Sequence, residues 1–261
     1  MLNNNRIGQI ISFAQLASSP IESAKMAILG FARGHPFNSS DLIFRIGRQL
    51  FPTMIGRPCL WSDIQIQLNP RYLGHLISFE EVILTNYYDF KLVPFEPEVV
   101  LDCGAHIGLF SLLATQTYPK AEITAFEPNP ENASCMEDQL KLNQLKVFFV
   151  EAAVSVEEGE SWFQADYSNT GALAKDELKN KDGCRVRTID FPKFLQELNS
   201  SGLLLKVDIE GEEARLLPAI IPYLPHKCAI FFESHGGEEV WQKLSQSLMN
   251  AQFQVRELRR R

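Results

Sequence analysis

The chain has 261 residues, enough for one large domain or a domain with a smaller extension, and at that size a core forms without cross-links. Its formal net charge of −7 excludes a protein that binds nucleic acid by neutralising phosphates over a broad basic face. The five cysteines, Cys59, Cys103, Cys135, Cys184 and Cys228, are odd in number and form none of the close pairs of a structural zinc or redox motif, which fits a reducing compartment.

In chain order, Ile7 to Leu16 is too interrupted by Gly8, Gln9, Ser12 and Gln15 for a signal core. No apolar run approaches the ~20 residues that cross a bilayer, so the expectation is a cytoplasmic protein with neither membrane nor nucleic acid as partner. Ser19, Pro20 and Glu22 make a helix start, with serine as cap, and Gly34 ends that helix. A second helix is expected from Asp41 to about Leu50, and Ile64, Ile66 and Leu68 alternate with polar residues as on a half-buried strand. Residues 1–95 therefore read as a partly helical N-terminal extension, a candidate cap, ahead of a main domain at 96–261.

From Val99 onward, apolar runs alternate with helical periods, the pattern of an α/β sheet with helices on both faces. Strands are expected at Val99–Cys103, Glu122–Glu127, Lys146–Glu151, Leu203–Asp208, Ala229–Glu233 and Phe253–Leu258. Helices are expected at Ile107–Thr117, Pro130–Asn143, Phe191–Leu198, Glu212–Tyr223 and Glu238–Ala251. The irregular stretch 155–187 reads as a short hairpin, Ser161–Phe163 with Arg185–Arg187, and a mobile loop over Asn169–Gly183. The closing arginines, Arg259 to Arg261, read as a solvated terminus.

Chemistry concentrates at two strand ends. The first strand runs into Asp102-Cys103-Gly104-Ala105-His106-Ile107-Gly108, where bare backbone lets a ligand approach, and the second ends at Glu127, a carboxylate able to accept both hydroxyl hydrogens of a ribose. A dinucleotide site would prefer Gly-x-Gly-x-x-Gly, and Asp102 would repel a pyrophosphate, whereas a cationic sulfonium tolerates it. The second segment, Leu203-Leu204-Leu205-Lys206-Val207-Asp208-Ile209-Glu210-Gly211-Glu212-Glu213, is a buried strand that breaks into charge at a helix start. Lys206 reads as a charge partner for neighbouring acids.

The two segments together, with Phe126-Glu127-Pro128-Asn129, Ala152-Ala153-Val154-Ser155 and Thr188-Ile189-Asp190 in the same order and spacing, resemble the FkbM-type family of S-adenosylmethionine-dependent methyltransferases. The likeness covers roughly Phe79 to Leu258. It implies an α/β fold, a doubly wound and mostly parallel sheet of the Rossmann-like class I methyltransferase type. S-adenosylmethionine is the implied cofactor. The resemblance places the methionine end at Asp102, Gly104 and Ala105, with His106 in the same cofactor-binding turn; the ribose falls at Glu127, the adenine along Pro128, Asn129 and Ala152, and the methyl group beside Asp208. Tyr88, in an aromatic-acid stretch ahead of the first strand, would cover the cofactor. His106 departs from the family, which usually has asparagine there. The end departs too, since class-typical members close the sheet with a final hairpin and only three arginines follow Leu258; either the last strand is absent or the N-terminal segment covers that edge, and an edge left uncovered would favour a homodimer through the sheet.

Methyl transfer is an in-line displacement, so the chain's task is to hold the acceptor and exclude water. A hydroxyl acceptor is helped by a general base, and Asp208, His235 and Glu210 are the candidates, with Asp208 and His235 expected closest. No metal is assigned; Asp208, Glu233 and His235 would accept a divalent ion, but their spacing does not demand one. The acceptor expected is a hydroxyl of a small molecule or sugar. A nicotinamide-dependent oxidoreductase and a cofactor-binding protein without catalysis remain the rival readings.

Overall fold

The computed structural model describes residues 54–56, 64–68, 73–164, 172–174 and 183–255. The helices expected over 20–34 and 41–50 and the closing arginines lie outside the described residues. The chain divides into two compact units, the first comprising residues 1–86 with 141–144 and 167–169, the second the remainder.

In the first unit, β1 (Met54–Gly56) pairs antiparallel with β2 (Ile66–Leu68), and α1 (Leu73–Ser78) follows, continued by a wider helical turn over Phe79–Leu84. The alternation read from the sequence holds: Ile64, Ile66 and Leu68 are buried, with Gln65 and Gln67 between them half-buried. The Gln65 backbone exchanges two hydrogen bonds with the Asn143 amide, at 2.8 and 2.7 Å.

The second unit is built on a five-stranded parallel sheet. Its strands are β3 (Val99–Cys103), β4 (Glu122–Phe126), β5 (Val147–Val150), β10 (Gly202–Val207) and β11 (Lys227–Phe232), in spatial order β11-β10-β3-β4-β5. The chain starts in the middle, winds to one edge, then returns to the other side of β3, which leaves the switch point of a doubly wound sheet between β3 and β10. Helices α2 (Leu109–Thr117), α3 (Pro130–Asn143), α4 (Phe191–Glu197) and α5 (Glu213–Ile220) connect strands, and α6 (Gly237–Asn250) follows β11. A second sheet, order β6-β9-β7-β8, is formed by β6 (Ala153–Ser155), β7 (Gly159–Gln164), β8 (Ala172–Ala174) and β9 (Gly183–Asp190). It contains the expected hairpin, with Trp162 opposite Arg185, and adds a short strand, β8, inside the segment read as loop.

Strand period and helix position decide which residues meet. β3 and β10 are buried along their whole length, as strands covered on both faces must be. Leu101, Cys103, Leu203, Leu205 and Val207 point to one face and pack with Phe126, Phe191, Leu216 and Ile220. Asp102 and Lys206 stand opposite each other in register between these positions, and so share the other face. There α2 lies almost wholly buried, because Leu109-Phe110-Ser111-Leu112-Leu113-Ala114 is apolar nearly all round.

The strand expected to begin at Phe253 does not. Gln252 turns left-handed (φ 69°) and donates to the Met249 carbonyl, while Phe253 donates to that of Leu248, so these residues close the end of α6 as a cap instead of starting a strand. Phe253–Val255 are not in a strand, and 256–258 lie outside the described residues. No helix among the described residues is long and apolar enough to cross a membrane.

Candidate functional site

The glycine turn after β3 owes its shape to its neighbours. Gly104 has φ 77°, and a Cβ there would lie 1.8 Å from the Asp208 carbonyl oxygen; Gly108 has φ 81°, and its Cβ would press on the Met136 side chain. Bare backbone at Gly104 thus admits the start of the Asp208 loop, where the sequence reading had left room for a ligand. His106 is also left-handed, at φ 53°. Asparagine and histidine both tolerate that conformation better than most side chains, which explains the exchange with the family's asparagine.

Four of the five N–H groups of Gly104–Gly108 are already spent on protein acceptors. Gly104 and Ala105 donate to the Phe126 carbonyl at 3.0 and 2.9 Å, His106 to Glu127 Oε2 at 2.8 Å, and Gly108 to Ala105 at 2.8 Å. A turn that cradles phosphate presents those groups to its ligand. This one does not, and the dinucleotide reading loses its main support.

Asp102 is 0% exposed. Its Oδ2 accepts from Ser111 Oγ at 2.7 Å and its Oδ1 lies 3.3 Å from Lys206 Nζ, so both oxygens of this expected cofactor residue face protein partners. It sits under α2 and acts through Lys206. Lys206 in turn donates to the Gly104 carbonyl at 2.6 Å and lies 3.7 Å from Asp208 Oδ2. Burial works against its charge, but Asp102 and Asp208 outweigh it and hold the ammonium above its usual range. The charge-partner reading of Lys206 stands, and the same ammonium ties the glycine turn to the Asp208 loop. Ser111, missed in the sequence, is the one polar residue in the buried stretch of α2. Ser111→Ala removes a hydrogen bond to a buried carboxylate and is expected to cost about 1.5–3 kcal/mol in urea unfolding. A loss below about 0.5 kcal/mol would show that Asp102 finds another donor.

Glu127 lies at the carboxyl end of β4, 4% exposed. Its Oε1 accepts from Asn129 N at 2.9 Å and from Asn132 Nδ2 at 3.4 Å, in addition to the His106 contact on Oε2. Burial pushes its carboxyl up to about 7 against those donors. Ala105 and Ala152 are buried beside the same strand ends, and Asn129 caps the start of α3 through Glu131 N. Pro128 joins Glu127 to Asn129 at that edge, half-buried.

The third group gathers at the ends of β10 and β11. His235 Nε2 lies 3.2 Å from Glu210 Oε2, 3.7 Å from Asp208 Oδ1 and 4.0 Å from Glu233 Oε1, and its Nδ1 is 3.0 Å from Glu213 Oε1. All three candidate catalytic side chains therefore meet. Of the two candidate carboxylates, Glu210 stands nearer Nε2 than Asp208 does, and its own backbone is left-handed (φ 56°). Burial lowers the His235 pKa, but the Glu213 hydrogen bond and the fields of Glu210, Glu213 and Asp208 prevail and raise it to about 9. Burial raises Glu210 to about 7, with His235 pulling the other way.

Tyr88 completes the group. Its hydroxyl is 3.3 Å from Asp208 Oδ2, and its ring packs edge-on with Phe110 and Phe231, within 5.8 Å of Lys206 Nζ. Burial, then the charges of Asp208 and Glu233, push its phenol well up, so it stays a donor. A cavity of about 1530 Å³ runs along β11, with Tyr88, Phe231, Glu233 and Trp241 in its lining. Ligand atoms of Asp208, Glu233 and His235 lie within 4.8 Å of one another, close enough to share one cation.

A doubly wound sheet with an acid at the end of its second strand, a glycine turn with four of its five amides spent on protein acceptors, and a carboxylate-rich switch point defines a Rossmann-like domain of the class I methyltransferase type. The family model of the methyltransferase FkbM domain matches residues 102–256, more than half of the chain, and the chain belongs to that family. It is similar to methyltransferase sdnD of Sordaria araneosa, 42% identical over 65 residues that make up 25% of each protein. It is also similar to methyltransferase 1 of Beauveria bassiana, 30% identical over 87 residues, 33% of this chain and 34% of that one. The matched part is thus about a quarter to a third of the length of these relatives. Among solved structures, the FkbM methyltransferase of Methylobacillus flagellatus is similar at 12% identity and a TM-score of 0.47, over 94% of this chain and 52% of that one.

Proposed function

We propose that the chain transfers the methyl group of S-adenosylmethionine to a hydroxyl of a small molecule or sugar. Family membership supports methyl transfer, and one observation supports a hydroxyl acceptor: the His235 ring set among Asp208, Glu210 and Glu233 past the ends of β10 and β11, with Glu233 in the lining of a cavity of about 1530 Å³. A thioether acceptor, which has no proton to lose, needs no such base.

The residues present suit the cofactor. A neighbouring excess of carboxylates, Asp208, Glu210, Glu213 and Glu233 against Lys206 and His235, favours a cationic sulfonium and disfavours a pyrophosphate. Glu127 accepts two donors on Oε1 and one on Oε2, which leaves a lone pair on Oε2 for a ribose hydroxyl, and Ala152 and Ala105 leave the adenine edge apolar. Bound there, S-adenosylmethionine supplies an electrophilic methyl group whose departure leaves a neutral thioether. Tyr88 and Lys206 hold Asp208, Asp208 orients the acceptor hydroxyl, and His235 Nε2 takes its proton as the new C–O bond forms. Glu210, adjacent to Nε2, passes that proton on.

Calorimetry with S-adenosylhomocysteine and, in parallel, with nicotinamide dinucleotides tests the cofactor. Binding of the first alone is expected, and Glu127→Gln should weaken it about tenfold, since one charge-assisted contact is lost. Dinucleotide binding with no S-adenosylhomocysteine binding would sink the proposal.

A further inference from the structure

We propose that Glu213 is the positioning residue of the site, fixing His235 in the Nδ1–H tautomer so that Nε2 faces the acceptor, and holding Glu210 beside it. This rests on the hydroxyl-methylating reading above and assigns a role to a residue outside the three candidates. Glu213 is 1% exposed, at the first position of α5. Its Oε1 accepts from Ile209 N at 2.9 Å and its Oε2 from Gly211 N at 2.8 Å. Both backbone partners can only donate, so both oxygens act as acceptors. The third partner, His235 Nδ1 at 3.0 Å from Oε1, must then also bring a hydrogen.

The neutral ring consequently has its lone pair on Nε2, directed at the space bordered by Asp208, Glu210 and Glu233. A carboxylate that accepts from the far nitrogen of an imidazole sets which nitrogen works and strengthens its basicity. Glu213 has a second effect. The two amides it binds flank Glu210, whose left-handed backbone (φ 56°) is unfavourable for an L-residue if left unsupported. With Ile209 and Gly211 clamped to one buried carboxylate, Glu210 stays turned toward Nε2. Among the described residues, the titratable groups facing the ring are Asp208 from the end of β10, Glu210 and Glu213 from the loop and helix that follow, and Glu233 from the end of β11. Lys206 and Tyr88 reach Asp208 from its other side.

Nitrogen-15 spectra of histidine-labelled full chain, with the His235 signals identified by difference from His235→Gln, read the tautomer without any acceptor. The wild-type neutral ring is expected as Nδ1–H, and Glu213→Gln should shift its population to Nε2–H and lower its titration midpoint by about one unit or more. S-adenosylhomocysteine affinity, measured by calorimetry, should change less than about threefold, well under one charge-assisted contact. A wild-type ring found as Nε2–H, or a Glu213→Gln ring with unchanged tautomer and midpoint, overturns the proposal. If Glu213→Gln does not fold, the wild-type spectrum alone decides. Should the wild type methylate no hydroxyl acceptor while the Nδ1–H tautomer is found, the fault lies with the proposed function and not with the role of Glu213.

Discussion

His235→Ala is expected to lower kcat for methylation of a hydroxyl acceptor by about 10²–10⁴, the usual contribution of a positioned acid–base group, and Asp208→Asn to lower it about 10². S-adenosylhomocysteine should still bind both variants, because Glu127 and the glycine turn lie on other strands. The fold should survive as well. In Asp208→Asn, Lys206 keeps Asp102 at 3.3 Å and the Gly104 carbonyl, and His235 is an exposed residue past the end of β11, outside the packed core. The pH profile gives the sharper reading. A base works when deprotonated, and His235 holds its proton up to about 9, so kcat/KM of the wild type should rise with pH toward a plateau above that value. Glu210, at about 7, shares the site, and the two apparent midpoints belong to the coupled pair. In His235→Ala the upper rise should vanish, leaving at most the lower one. Unchanged turnover in both variants would remove these residues from the mechanism.

The sheet was legible because its strands are apolar runs stopped by chemistry: Val99–Cys103 matches to the residue, and so does the helix from Pro130 to Asn143. What lies on each face was less so. Alternation along β3 already puts Asp102 on the side opposite Leu101 and Cys103, yet only the position of α2 shows that this side is covered and that Ser111 and Lys206 complete the acid there. The glycine turn was legible as a turn, but its reason was not, since the atom that forbids a Cβ at Gly104 belongs to Asp208, just past the end of a strand far along the chain. Period and composition carry no information about such a contact. Glu213 was hidden for a related reason: an acid at a helix start has several ordinary uses, and the one it has here depends on a histidine from the next strand end. Phe253 misled because an apolar pair spaced by one residue looks like a strand, and the left-handed turn at Gln252 that makes it a cap has no glycine to mark it.

Gly104→Ala is expected to be the most destabilising single-methyl change in the second unit. Two costs combine. A φ of 77° penalises any L-residue by about 1–2 kcal/mol. The new Cβ would also stand 1.8 Å from the Asp208 carbonyl oxygen and 2.9 Å from its carbon, and backbone cannot rotate aside as a side chain can. The loop is pinned from three directions: Asp208 N donates to the Cys103 carbonyl at 3.1 Å, Lys206 Nζ to the Gly104 carbonyl, and Tyr88 to the Asp208 carboxylate. Relief therefore has to come from separating β3 and β10 at their carboxyl ends, where both strands are fully buried. We expect a loss of about 4 kcal/mol or more in denaturant unfolding, in the range reserved for backbone strain and core disruption together. Methyl transfer should fall with it even in the fraction that folds, since the displaced atoms carry Asp208. Gly108→Ala is the matched control. Its φ of 81° imposes a similar backbone penalty, but its Cβ meets only the Met136 side chain, at 2.9 Å from Cγ, and methionine can yield. That variant should lose about 1–2 kcal/mol, close to the backbone term alone. Equal losses in the two variants would mean that left-handed strain dominates both positions and that the approach of the Asp208 carbonyl does not hold the turn against the second half of the site.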